Sequence, residues 1–166
     1  MQDLIPQAER IAAILRKRRE TVAVAESSTG GLISAALLSI AGASAYFIGG
    51  SVVYTLKARR ALLQVPDEAF AGFKSLDEKY ALILAREARS RLSTTWSISE
   101  IGASGPTGNR YGDPPGTSCI AVAGTIESSL TLHTGSQDRI ANMHSFAAAA
   151  LDLLLRSLAK AAPVEP

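Results

Sequence analysis

The hydrophobic and polar positions of the chain switch repeatedly between helical spacing and short apolar runs. Residues 4–19 place apolar side chains at helical spacing and predict an amphipathic helix. Residues 21–25 form a short run rich in β-branched side chains, which is typical of a buried strand. Residues 29–40 are apolar on nearly every side, so we expect a helix that lies against a sheet.

The middle of the chain continues this alternation. Residues 46–54 indicate a second strand, in which two adjacent glycines mark a bulge or a close backbone approach. Residues 56–63 predict a short helix. The spacing of Ser75 and the acid three residues later is that of a capping box, so residues 75–93 are predicted to form a long helix.

The last part of the chain predicts a strand, a long loop, a hairpin and a final helix. The strand covers residues 96–101, and the glycine- and proline-rich loop covers residues 102–116. A loop of that length inside a compact domain is usually functional. Residues 117–126 and 130–133 are predicted to pair as an antiparallel hairpin, and residues 137–160 to form the final helix.

Helices that alternate with strands, followed by a hairpin, predict an α/β fold, namely a three-layer α/β/α sandwich with a mixed β-sheet. The 166 residues are the size of a single domain. We expect that domain to occupy residues 1–160, and residues 161–166 to form a disordered tail.

Composition excludes several classes of function. The net charge is +2, aromatic residues make up 5%, and the one basic cluster, residues 16–19, ends the first helix, where cations suit the helix dipole. We therefore expect no nucleic-acid partner. No apolar run approaches the length of a membrane span, and the amino terminus is unlike a signal peptide, so we expect a cytoplasmic protein with no membrane partner. Cys119 is the single cysteine, which excludes a disulfide within the chain.

The stretch Ala-Glu-Ser-Ser-Thr-Gly-Gly, residues 25–31, joins the first strand to the second helix. In α/β proteins the carboxyl end of a strand can face a ligand, and the start of a helix offers unpaired N–H groups. Hydroxyls and glycines at such a turn can also serve only to cap and pack the helix. Three hydroxyls, an acid and two glycines exceed what a cap needs, and this favours a site.

This stretch resembles the signature of the CinA C-terminal domain family, which usually reads Ala-Glu-Ser-Cys/Ser-Thr-Gly-Gly. Further blocks resemble the family in order and spacing, at residues 41–47, 50–54, 102–108 and 115–117. Active members of the family are nicotinamide-nucleotide amidohydrolases. The resemblance implies that nicotinamide mononucleotide and water are converted to nicotinic acid mononucleotide and ammonia, with no metal or organic cofactor.

The resemblance also implies catalytic residues. The family's serine nucleophile and tyrosine fall on Ser27 and Tyr54, but Arg59 occupies the position of the family's lysine. An arginine stays protonated and cannot accept the serine's proton. Lys57 is close by, but on a regular helix a residue two positions away faces nearly the opposite direction, so it replaces the missing amine only if the segment is irregular. Tyr54 beside Arg59 is the other candidate base.

The nucleotide would be held by the loop after the third strand and by basic residues near the last helix. The family carries Asp-Arg followed four residues later by a second arginine. Here Arg139 is kept, but Met143 stands at the second position, which weakens the case for a nucleotide. The candidate substrate-binding residues are Glu26, Ser28, Thr29, Gly30, Gly31, Gly102, Ala103, Thr107 and Arg139.

Two alternatives follow from these departures. The chain can be a catalytically silent relative that acts as a nucleotide-binding or regulatory module, or an amidase for a related, less anionic amide. The apolar second helix and the alanine-rich residues 146–158 offer more apolar surface than one small sandwich readily hides. We therefore expect a homodimer.

Overall fold

The computed structural model describes residues 1–73 and 76–162, except for the side chain of Asp67. Five strands form one mixed sheet in the order β2-β1-β3-β4-β5. Strand β1 is parallel to β2 and β3, whereas β4 is antiparallel to β3 and β5. The strands are β1 (Val22–Glu26), β2 (Phe47–Val52), β3 (Trp96–Ala103), β4 (Thr117–Ala123) and β5 (Glu127–His133).

Helices cover both faces of this sheet, which confirms the predicted three-layer α/β/α sandwich. Helices α1, α2 and α5 pack on one face, and α4 packs on the other. The helices are α1 (Ile5–Arg18), α2 (Leu32–Leu38), the single turn α3 (Leu56–Ala58), α4 (Glu78–Leu92) and α5 (Arg139–Lys160).

Strand β1 lies between two parallel neighbours and all five of its residues are buried. A strand covered by helices on both faces must be apolar throughout, which explains its Val-Ala-Val-Ala sequence. Each large apolar side chain buried beside it, such as Ile98 of β3, stabilises the fold by about 1.5–3 kcal/mol. The core thereby fixes the carboxyl end of β1, where the Ser-Ser-Thr turn begins.

Several boundaries differ from the predicted ones. Helix α2 begins at Leu32 and not at residue 29, because the chain turns at two glycines with positive φ. Asp77 caps α4 by accepting a hydrogen bond from the Lys79 amide at 2.7 Å. Ser75 lies outside the described residues, as do residues 163–166 of the expected tail, so those two predictions stay untested.

Two glycines explain further details of the sheet. The register of β2 slips beside Ile48, and a Cβ at Gly50 would collide with the Ser34 hydroxyl of α2. The predicted bulge and the predicted close approach are both present. The hairpin turns at residues 124–126, three residues earlier than predicted, and there a Cβ on Gly124 would collide with the ring of Trp96.

The apolar surface that motivated a dimer is only partly hidden by the fold. The apolar face of α5 packs against the sheet within the chain. The two sheet edges differ, because β2 exposes Ile48 and Val52, whereas the exposed side chains of β5 are polar. No helix among the described residues is long and apolar enough to span a bilayer.

We predict that the chain is a homodimer joined through the β2 edge, where apolar side chains accompany unpaired backbone groups. Sedimentation velocity should give a dimer for the native chain and a monomer for Ile48→Asp. Ile140→Asp is the matched control, because Ile140 is also exposed but lies at the start of α5. A monomer at every concentration of the native chain would exclude this interface.

Candidate active site

A cavity of about 630 Å³ opens at the carboxyl ends of β1 and β3. Its wall includes Ser27 from the end of β1, Tyr54 and Arg59 from the segment after β2, and Gly102 from β3. Parallel strands end at the same edge of a sheet, so three segments distant in sequence meet here. The structure thus brings together the three residues that were predicted to be catalytic.

The segment after β2 is irregular. Thr55 caps the single turn α3 by accepting a hydrogen bond from the Ala58 amide at 3.1 Å, and residues Arg59–Leu63 then form a π-helical turn. Lys57 and Arg59 both line the cavity. The segment as a whole is irregular, as the alternative base Lys57 required, although the backbone from Lys57 to Arg59 is itself α-helical.

Arg59 is held in place by groups on two other elements. Its Nε donates to the Val53 carbonyl at 3.1 Å and its Nη1 donates to the hydroxyl of Tyr80. The guanidinium also lies over the Tyr80 ring, 5.0 Å from the centroid, and that ring stacks on Phe70. Arg59 therefore provides a fixed positive charge at the cavity wall.

Glu100 of β3 organises the turn that carries Ser27, and our sequence analysis missed it. The residue is fully buried, and its Oε2 accepts hydrogen bonds from the backbone N–H groups of Ser27 at 3.1 Å and Thr29 at 3.0 Å. Its Oε1 lies 2.5 Å from the Ser28 hydroxyl and 3.2 Å from that of Ser118. The sequence does carry a signal for this role of Glu100, because an acid inside a buried apolar strand requires a polar partner.

The N–H groups that were expected to bind an oxyanion or a phosphate are therefore already occupied. The Thr29 amide bonds to Glu100, and the Gly30 amide bonds to the Ser27 carbonyl at 3.2 Å. Ser28, Thr29, Gly30 and Gly31 are not part of the cavity wall. The group held by this turn is the protein's own Glu100 carboxyl.

Glu26 also faces away from the cavity. The residue is fully buried, its Oε2 accepts the Ile33 amide at 3.1 Å, and its Oε1 accepts the Ser34 amide at 3.1 Å and hydroxyl at 2.6 Å. These bonds satisfy the free N–H groups at the start of α2. The substrate contact that was predicted for Glu26 does not fit this position.

One hydroxyl connects the two buried acids. Thr29 Oγ1 lies 2.8 Å from Oε2 of Glu26 and 3.0 Å from Oε2 of Glu100. A hydroxyl carries one hydrogen and can donate to only one of these oxygens at a time. Burial raises the pKa of Glu100, which favours the protonated form of that carboxyl.

The remaining predicted binding residues outside the cavity wall are Ala103, Thr107 and Arg139. Ala103 is buried opposite Thr117, and Thr107 is exposed. Arg139 Nη1 donates to the Gly105 carbonyl at 2.8 Å, so this arginine tethers the loop. None of these three residues lines the cavity.

Other chemistries lack the groups they need. Burial raises the pKa of the Cys119 thiol to about 11, so this cysteine is not a nucleophile at neutral pH. His133 and His144 lie outside the cavity wall. Within the part of the chain that the structure describes, no three His, Cys, Asp or Glu side chains cluster to hold a metal ion.

We predict that Glu100→Gln folds and Glu100→Ala is strongly destabilised. The glutamine oxygen can accept both amides, and its NH₂ can donate to the hydroxyls of Ser28 and Ser118. Alanine leaves two buried N–H groups unpaired, which costs about 3–5 kcal/mol. Urea unfolding measures both variants, and an equal loss in each would show that the negative charge itself is needed.

The stability of the native chain and that of Glu100→Gln should also depend differently on pH. Because the pKa of Glu100 is raised above its ordinary value of 4.5, the folded chain binds this proton more tightly than the unfolded chain. The free energy of unfolding therefore loses this contribution as pH rises above 4.5 through the raised pKa. The decline of this free energy with pH should be smaller in Glu100→Gln than in the native chain. Parallel curves for these two proteins would show that Glu100 does not have a raised pKa.

Comparison with known proteins agrees with the motifs. The family profile of the CinA C-terminal domain matches residues 5–158. The CinA-like protein of Salinibacter ruber is 37% identical over 144 residues, which cover 87% of this chain and 35% of that protein. The CinA-like protein of Trichormus variabilis is 37% identical over 151 residues, with 89% and 36% covered. The chain thus spans about a third of the length of these relatives.

Solved structures show the same fold. The competence/damage inducible protein CihA from Agrobacterium tumefaciens is 30% identical with a TM-score of 0.87, over 95% of this chain and 96% of that one. A CinA superfamily protein from Klebsiella pneumoniae is 26% identical with a TM-score of 0.87, over 94% and 98%. The family includes nicotinamide-nucleotide amidohydrolases. Profile, sequence and fold agree over nearly the whole length, and the chain belongs to the CinA C-terminal domain family.

Proposed function

We propose that the chain is a serine-dependent amidohydrolase that converts nicotinamide mononucleotide and water to nicotinic acid mononucleotide and ammonia. The observation that carries the proposal is the convergence of Ser27, Tyr54 and Lys57 beside Arg59 in one cavity. A serine nucleophile, a proton acceptor and a fixed cation are the groups that acyl transfer needs.

In the proposed reaction the Ser27 hydroxyl attacks the carboxamide carbon and its proton passes to a base. The tetrahedral intermediate expels ammonia after protonation of the amide nitrogen, and water then releases the acid from the serine ester. The negative charge on the carboxamide oxygen is stabilised by the Arg59 cation at the cavity wall. The buried turn holds the serine backbone fixed during both steps, because its amide is bonded to Glu100.

Lys57 is the base that fits best. Arg59 cannot accept a proton, and Lys57 lines the same cavity despite its position two residues earlier. Tyr54, also in the cavity wall and 55% exposed, is the alternative acceptor.

A catalytically silent relative is the second candidate. The guanidinium of Arg59 is engaged by Val53 and Tyr80, so the family's lysine position supplies no amine here. In that case the native chain would release no ammonia, and Arg59→Lys would gain activity. An amidase for a less anionic amide is the third candidate, because Met143 replaces a family arginine.

Ser27→Ala should lower ammonia release from nicotinamide mononucleotide by about 10³-fold or more, because the other two hydroxyls of the turn, on Ser28 and Thr29, do not line the cavity. Release is measured for the purified native chain, for Ser27→Ala and for Ser44→Ala. Ser44 is an exposed serine outside the cavity wall and serves as the matched control. Equal rates in all three would refute a role for Ser27.

Lys57→Met should lower kcat by about 10²–10⁴-fold, because the proposed proton acceptor is then missing. Lys79→Met is the control, since Lys79 is an exposed lysine on α4 away from the cavity wall. Full activity in Lys57→Met together with loss in Tyr54→Phe would assign the base to Tyr54.

A further inference from the structure

We infer that Arg110, at the tip of the loop after β3, binds the phosphate of the substrate in place of the basic residues near the last helix. This inference rests on the proposed function, because it identifies the anionic end of the ligand that fills the cavity. It moves phosphate recognition to a loop, residues 108–113, that our sequence analysis treated only as part of a long connection.

The charge of the cavity wall is the first observation. Lys57, Arg59 and Arg110 line the cavity, and no aspartate or glutamate does among the described residues. The whole chain carries a net charge of only +2, so this wall concentrates positive charge. A cavity with this lining favours an anionic ligand.

Of these cations, Arg110 is the one whose chemistry is not otherwise used. Arg59 is tied to Val53 and Tyr80, and Lys57 is the proposed base. A guanidinium presents a planar fork of N–H donors that matches two oxygens of a phosphate. Arg110 is exposed in the ligand-free chain, so it can reach a ligand in the cavity.

The backbone of the tip is fixed by Asn109. Its Oδ1 accepts the amides of Tyr111 at 2.9 Å and Asp113 at 3.1 Å, and its Nδ2 donates to the Asp113 carboxylate at 2.7 Å. The Asn109 amide also donates to the Asp113 carbonyl at 3.0 Å. These bonds close the loop, so Arg110 and Tyr111 project from a rigid support and their ordering on binding costs little entropy.

The Arg110 side chain is itself oriented. Its Nη2 donates to the hydroxyl of Tyr111 at 2.6 Å, and its guanidinium lies 4.8 Å from the centroid of that ring. The aromatic face restricts the long side chain, and a guanidinium has further N–H donors besides the one that Tyr111 accepts. Tyr111 and Arg110 together form one wall of the cavity.

Arg139 has a different task. Its Nη1 is bonded to the Gly105 carbonyl and the residue is not part of the cavity wall. The second arginine of the family is Met143 in this chain. Loss of that arginine therefore does not require a less anionic ligand, because Arg110 supplies a cation at the cavity wall.

The test compares phosphorylated and unphosphorylated ligands by calorimetry, without turnover. Nicotinic acid mononucleotide is titrated beside nicotinic acid riboside, and ribose 5-phosphate beside ribose. The native chain should bind each phosphorylated ligand at least about tenfold more tightly than its partner. Arg110→Gln should reduce both preferences to less than about twofold, and Arg110→Lys should restore them in part.

One arginine variant is the control and another is a comparison. Arg10→Gln removes the same charge from an exposed position on α1 and should keep the native preference. Arg139→Gln removes the predicted family contact together with the bond to Gly105. If Arg139→Gln removes the native preference and Arg110→Gln does not, the inference is wrong.

The outcomes separate this inference from the proposed function. If both phosphorylated ligands bind and Arg110→Gln leaves their preference intact, the nucleotide proposal stands and the role of Arg110 is refuted. If ribose 5-phosphate binds through Arg110 but nicotinic acid mononucleotide does not bind, the anion site stands and the pyridine substrate is refuted. If no phosphorylated ligand is preferred, both are refuted.

Discussion

A carboxyl group buried beneath the Ser27 turn is the interaction on which the site depends. Glu100 is fully buried, and it accepts the amides of Ser27 and Thr29 while contacting the Ser28 hydroxyl. A buried acid is costly unless its hydrogen bonds are complete, and a turn with unpaired amides is costly for the same reason. Each therefore stabilises the other, and the position of Ser27 follows from the position of β3.

This constraint has a chemical consequence. The amides next to a catalytic serine commonly stabilise the oxyanion, but here they are bonded to a carboxylate. Positive charge for the oxyanion must then come from the cavity wall, where Arg59 is fixed by Val53 and Tyr80. An arginine at the family's lysine position is thus consistent with a redistribution of roles, in which the cation stabilises charge and a different group accepts the proton.

The sequence predicted the fold and much of the cavity, because both follow from local patterns. Apolar runs located the strands, and the resemblance to the family placed Ser27 and Tyr54 in one site. The role of Glu100 could not be read in the same way, since its partners are about 70 residues away and meet it only through the pairing of β1 with β3. Glu26 was predicted to bind the substrate, but an acid at a strand end can cap the next helix instead of facing a ligand.

The irregular segment after β2 shows why helical spacing was insufficient at the decisive position. A regular helix separates residues two apart by about 200°, which argued against a shared cavity for Lys57 and Arg59. The backbone from Leu56 to Arg59 is nevertheless α-helical, the π-helical turn follows at Arg59–Leu63, and both residues line the cavity. The amine of Lys57 therefore belongs to the same cavity wall as the fixed guanidinium of Arg59. With arginine at the family's lysine position, the candidate base lies two residues earlier in the chain. Ser27 still shares its cavity with a candidate proton acceptor.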